Sequence, residues 1–146
     1  MADIEELKKV CEKAGVRLTH QRIEIYKEIK ASRDHPSVEA LYERLKPRLP
    51  TISLDTVYRT LTMFVELGLI KRVYGKEPVT RFDPDTSVHH HLICQRCGAI
   101  YDFLWPDLES VPMPKGLKGL GEVDYVQVQF IGICNKCLKK EEKKNA

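Results

Sequence analysis

Four of the five cysteines come as two Cys-x-x-Cys pairs, Cys94/Cys97 and Cys134/Cys137. Two thiolates from one tight turn occupy adjacent corners of a tetrahedron, and two such turns complete a four-thiolate site with no open position. That chemistry is structural zinc binding; a redox disulfide pair or a rubredoxin-like iron are the other uses of the same residues. A second group of ligand-type residues surrounds the first pair. In His89-His90-His91-Leu92-Ile93-Cys94 an extended backbone sends His89 and His91 to one face and His90 to the other. Two imidazoles on one face, with Asp83 before them and Asp102 after, make a nitrogen/oxygen set suited to a first-row divalent metal. Taken singly, the three histidines read as a surface tract, and His35 as a capping or surface residue. Beside a zinc pair the residues read together as ligands.

The bounds agree with this chemistry. At 146 residues the chain holds one good core or two small domains, and 42% hydrophobic with 31% charged residues is ordinary soluble composition. No apolar run approaches the roughly 20 residues of a membrane span. The N-terminal stretch is acidic and helical in pattern, unlike a signal peptide. Cysteines in Cys-x-x-Cys pairs fit metal binding in a reducing cytoplasm better than a disulfide framework. Cys11 lies on a helical apolar stripe and reads as a small buried hydrophobe. Residues 1–80 carry 15 Lys and Arg against 12 Asp and Glu, and residues 81–146 nine of each. A zinc tetrathiolate adds two negative charges to the second half, so any nucleic-acid contact belongs to the first.

The elements that must position these residues change character along the chain. Ile4, Leu7, Cys11 and Ala14 predict a helix ended by Gly15, and Thr19 caps a second helix through Ile23, Tyr26 and Ile29. A third runs from Val38 to Leu49, closed by Pro50, and Ser53 caps a fourth that Gly68 ends. Strands over residues 69–74 and 79–83 around Gly75-Lys76-Glu77-Pro78 complete the order of a winged helix-turn-helix. The fourth helix leaves Asp55, Thr56, Arg59, Thr60 and Thr62 off its apolar stripe, near the end that recognition helices present to bases. The same helix reads equally well as a solvated amphipathic face, and Tyr58 as core. The hairpin with Lys71, Arg72, Lys76 and Arg81, set to meet phosphates, favours DNA binding. Beyond Asp83 the pattern turns to β, with strands expected over 92–94, 99–103 and 122–133, a short helix around 107–111, loop over 112–121 and a fraying charged tail over 139–144.

His35-Pro36, the run Ser53-Leu54-Asp55-Thr56-Val57-Tyr58-Arg59-Thr60-Leu61, Arg81-Phe82-Asp83, the stretch from His89 to Gly98 and Cys134-Asn135-Lys136-Cys137 together resemble the ferric uptake regulator family. The resemblance covers nearly the whole chain. It implies an α+β protein: a winged-helix DNA-binding domain over 1–83, a hinge over 84–88 and a small α/β dimerisation and metal-binding domain over 89–146. It implies a homodimeric, cytoplasmic repressor on an AT-rich palindromic operator in double-stranded DNA, with Tyr58 and Arg59 as the DNA-facing pair, to which the helix and hairpin patterns add Thr56 and Lys76 as DNA contacts. Besides zinc on Cys94, Cys97, Cys134 and Cys137, it implies a regulatory Fe2+ or Mn2+ on His35, Asp83, His89, His91 and Asp102. Aspartate at position 102, where iron-uptake regulators usually carry glutamate, resembles the peroxide-sensing branch. So does the loss of a second regulatory site, whose positions are here Val88, His90 and Tyr125. In that branch His35 or His89 is the ring that peroxide oxidises. The alternative is an iron- or zinc-uptake regulator of the same family. A non-haem metalloenzyme would need a general base and substrate pocket to which the sequence does not point, so no enzyme activity is expected. A zinc-ribbon interaction module leaves His35 and Asp83 without a use.

Overall fold

The computed structural model describes residues 4–145 and divides into two units, the first ending at Thr86 and the second beginning at Ser87. The first opens with four helices: α1 (Ile4–Ala14), α2 (His20–Ala31), α3 (Val38–Leu45) and α4 (Leu54–Glu66). The starts of α2, α3 and α4 are set by short oxygen side chains. Thr19, Ser37 and Ser53 each accept the N–H of the residue three positions on, Arg22, Ala40 and Thr56, at 3.0–3.3 Å. Glycines stop α1 and α4. Gly15 (φ +70°) and Gly68 (φ +75°) take the left-handed conformation, and Val16 and Leu69 then donate back to the carbonyls of Cys11 and Phe64 at 2.8 and 2.9 Å. The third helix is shorter than its apolar stripe predicts. Lys46 keeps helical backbone angles and still donates to the Tyr42 carbonyl, but Pro47 has no N–H to continue the ladder, so α3 stops at Leu45, while Leu49 reaches the core from the turn that follows.

The core of this unit is the shared apolar face of the four helices, including Leu7, Ile25, Leu41 and Leu61, with Tyr26 edge-on to Phe64 at 5.6 Å between ring centres. Cys11 is buried in it. An antiparallel hairpin of β1 (Lys71–Tyr74) and β2 (Thr80–Asp83) pairs Lys71 with Asp83 and Tyr74 with Thr80, and turns Phe82 into the helices. The other side of β2 is tied to the segment before α3, through Phe82 N–H to the Pro36 carbonyl at 2.9 Å and a bridge between Ser37 and Arg81.

The second unit is a three-stranded sheet in the order β4-β3-β5, with β3 (His90–Cys94) antiparallel to β4 (Ile100–Phe103) and parallel to β5 (Gln129–Gly132). The last strand is far shorter than the apolar run over 122–133 predicts, and 121–128 have no regular structure. The cause is local. His90 Nδ1, not a strand carbonyl, takes the Val128 N–H at 3.0 Å, and β3 begins at His90, so earlier residues have no ladder to join. Between β4 and β5 lie only two short 3-10 turns, Pro106–Ser110 and Lys115–Gly119. The charged tail expected to fray is instead a helix, α5 (Asn135–Asn145), secured at its start by the zinc-type cysteines and along its length by an Arg96–Glu141 ion pair. No helix among the described residues is long and apolar enough to cross a membrane.

Candidate metal centres

The first Cys-x-x-Cys follows β3 directly. Cys94 ends the strand, the chain turns through Gln95–Gly98, and Gly98, at φ +77°, donates its N–H back to the Cys94 carbonyl at 3.0 Å. The second pair stands at the entry to α5. The sulfurs of Cys94, Cys97, Cys134 and Cys137 all lie within 4.8 Å of one another, with Cys94–Cys137 at 3.8 Å and Cys97–Cys134 at 3.7 Å. Zn–S bonds of about 2.3 Å give a tetrahedron with edges of about 3.8 Å, so the spacing fits zinc. None of the cysteines is disulfide-bonded.

The protonation of the cluster gives the same answer. Backbone N–H groups of Cys134 (3.3 Å) and Cys97 (3.5 Å) point at the Cys94 sulfur and hold its pKa down to about 5. The Cys134 thiol is also lowered, first by the Cys137 backbone and then by the Tyr101 hydroxyl. Cys137, by contrast, is pushed up to about 12, by burial and by its sulfur neighbours. Four sulfurs this close cannot all ionise without a cation, and a divalent metal resolves the conflict. The cluster fits a structural zinc ion.

The nitrogen and oxygen donors fall into two sets. In the first unit His35 sits on the α2–α3 loop and Asp83 ends β2, both buried, with His35 Nε2 3.4 Å from Asp83 Oδ2. The other Asp83 oxygen accepts the Asp85 N–H at 2.9 Å, which fixes the carboxylate. His35 takes φ +50°, the one non-glycine residue at positive φ among those described. In the second unit Asp102 of β4 stands directly across from His91 of β3. Its Oδ1 lies 3.2 Å from His91 Nε2 and 3.6 Å from His89 Nε2, and the two rings meet edge to face at 4.7 Å. The backs of both rings are held. His89 Nδ1 is 2.8 Å from the Ser87 carbonyl, which fixes its proton there and leaves Nε2 as the nitrogen that faces Asp102. Gln127 Nε2 lies 3.3 Å from His91 Nδ1, a side-chain partner behind the second ring. His90 faces the other way, buried against Phe103 and Trp105.

The candidate DNA contacts lie in the first unit. Tyr58 is 55% exposed and Arg59 is exposed beside it, its guanidinium 2.9 Å from Asp55 one turn earlier. Thr56 is half-buried at the start of α4, its hydroxyl 2.8 Å from that of Ser53, and Lys76 is exposed in the hairpin loop. A groove of about 510 Å³ lies between α4 and the hairpin loop, lined by Leu54, Asp55, Tyr58, Pro78 and Val79 among others. Two expectations fail here. Thr60 is buried, because it sits three residues after Val57 and four before Phe64, on the core face. Arg81 is turned away from the hairpin surface: it donates to the backbone carbonyls of Asp34 and His35. Sequence patterning had no signal for that role, nor for the Tyr101 hydroxyl at the zinc cluster.

Known proteins share this architecture. The model of the ferric uptake regulator family matches residues 13–116. The peroxide-responsive repressor PerR of Staphylococcus epidermidis is 35% identical over 140 residues, 96% of this chain and 92% of that protein. Among solved structures, the ferric uptake regulator of Helicobacter pylori superposes with a TM-score of 0.76 at 21% identity over 92% of this chain and 91% of that one, a likeness of fold. PerR from Streptococcus pyogenes, a protein of peroxide sensing and gene regulation, superposes at 0.55 with 27% identity over 94% of each chain.

Proposed function

Because the chain belongs to the ferric uptake regulator family of metal-responsive transcription regulators, which are not enzymes, we propose that it is a cytoplasmic, homodimeric repressor released from DNA by hydrogen peroxide. The observation that carries this reading is the division of the donors. The first unit offers two, His35 and Asp83; the second offers three, His89, His91 and Asp102. Neither set fills the coordination sphere of a first-row divalent ion. One Fe2+ or Mn2+ shared by all five would tie the units together and leave one octahedral position open. Two aspartates and one divalent ion sum to zero charge, so a shared ion would offset both carboxylates at once and favour the arrangement of the units that brings its ligands together.

Ferrous iron, when bound, supplies the one-electron chemistry that lets peroxide oxidise a ligand imidazole, which manganese does not. His35 and His89 are the rings we assign to that oxidation: a ring carbon gains one oxygen atom and peroxide leaves as water. The modified ring no longer holds metal, and DNA affinity goes with it. The Staphylococcus epidermidis relative, a peroxide-responsive repressor, supports this branch. Arg59, Tyr58 and Thr56 on α4 would read the major groove of an AT-rich palindrome while Lys76 meets phosphate. Strand β5, at the edge of its sheet with Phe130 and Ile131 exposed, offers the second unit an edge for a second copy. Fluorescence anisotropy with a palindromic AT-rich duplex tests the core of this reading. Binding should need Mn2+ or Fe2+ and vanish with a chelator that leaves the zinc in place. Metal-independent binding, or none with metal present, would refute it.

A further inference from the structure

Arg81 stands two residues before Asp83 in β2, so strand alternation puts both side chains on one face. Its Nε donates to the His35 carbonyl and its Nη2 to the Asp34 carbonyl, each at 2.6 Å. The next residue, Phe82, donates its N–H to the Pro36 carbonyl at 2.9 Å. Three successive carbonyls of the α2–α3 loop are thus taken by two residues of one strand. The loop needs this support. His35 adopts φ +50°, a left-handed backbone that L side chains avoid, and it does so immediately before a proline, which narrows its choices further. The Asp34 side chain is also fixed, with its Oδ1 accepting from Arg44 Nη1 at 3.2 Å.

We infer that Arg81 is the positioning residue for His35: by clamping the carbonyls of the strained residue and the one before it, it holds the imidazole toward Asp83 before any metal arrives. A planar guanidinium suits this task because two of its N–H groups reach neighbouring acceptors at once, which one lysine ammonium on a flexible stem does not do as rigidly. The inference rests on the reading above that His35 and Asp83 are metal ligands. It also explains why the motif Arg81-Phe82-Asp83 places the ligand and an arginine on the same face. The clamp supports one ligand, and Asp83 supplies the next.

The test is Co2+ binding to the full-length, zinc-loaded protein, followed by the cobalt ligand-field absorption, with thermal unfolding and zinc content measured on every variant. Arg81→Met should weaken Co2+ affinity roughly 10- to 100-fold, the range seen for groups that orient metal ligands, and shift the absorption toward that of His35→Ala. Arg81→Lys should fall between Arg81→Met and the parent, and it decides the matter if Arg81→Met does not fold. Tyr74→Ala alters the same hairpin at an exposed position on the face opposite Arg81, and should leave the cobalt spectrum as it was. The inference is overturned if the folded Arg81 variants bind Co2+ with parental affinity and spectrum while His35→Ala does not. If His35→Ala also binds as the parent does, the ligand assignment itself has failed, and Arg81 has nothing to position.

Discussion

Gly98 closes the turn between the first two zinc cysteines at φ +77°, and a Cβ built there meets nothing within 4 Å. Gly98→Ala therefore adds no clash, and its whole effect is the left-handed conformation forced on an L residue, about 1–2 kcal/mol. Because the turn closes as metal binds, that cost falls on zinc affinity. At about 1.4 kcal/mol per tenfold, the expected loss is roughly 5- to 30-fold. Competition with a chromophoric chelator reads this directly, and Gly98→Asn should lose less, since asparagine tolerates the conformation better. The first unit should melt as before. Unchanged affinity would mean that the turn does not hold this backbone, and a loss beyond about a thousandfold, several times the conformational cost, would mean that the open space beside Gly98 is filled in solution. Either result refutes the reasoning.

Further outcomes follow from other parts of the structure. Arg59→Ala should weaken operator binding by about 1–3 kcal/mol, with zinc content and dimerisation unchanged, as anisotropy and sedimentation will show. His90 is buried and its pKa is lowered by burial, then by His89 and His91, so it takes up a proton on unfolding. Stability of the second unit is therefore full above the unfolded histidine value of about 6.5 and falls as pH drops below it. His90→Phe, though destabilised by the Val128 N–H it leaves unpaired, should show a flatter unfolding midpoint between about pH 7 and 5.

Much of the first unit is legible because its signals are local. Thr19 and Ser53 cap helices and Gly15 and Gly68 end them through contacts within five residues, so composition at those points decides the structure. The second unit is less legible because its β5 depends on a partner. The apolar run over 122–133 has strand propensity throughout, yet only the part opposite β3 can pair, and His90 ends that pairing with its ring. Burial of Thr60 was masked by its polar label, although its spacing from Val57 and Phe64 carried the information. The candidate metal ligands were legible as residue types; the groups that orient them were not. Arg81, Ser87 and Gln127 act on His35, His89 and His91 from 46, 2 and 36 positions away, through contacts that no periodicity marks.

Everything proposed for the sensing branch turns on the oxidation of a metal-ligand histidine by peroxide. Mass spectrometry of peptides from the ferrous, zinc-loaded protein, after about one equivalent of hydrogen peroxide, reads that step itself. One added oxygen atom is expected on the peptide holding His35 or His89, with loss of operator binding in step with it and neither change in the manganese form. Asp102→Glu, which installs the residue usual in iron-uptake regulators, should keep metal-dependent DNA binding and lose most of the oxidation. Iron-loaded protein that keeps both histidines intact and still binds its operator after peroxide would overturn this mechanism and make the protein a regulator of metal level.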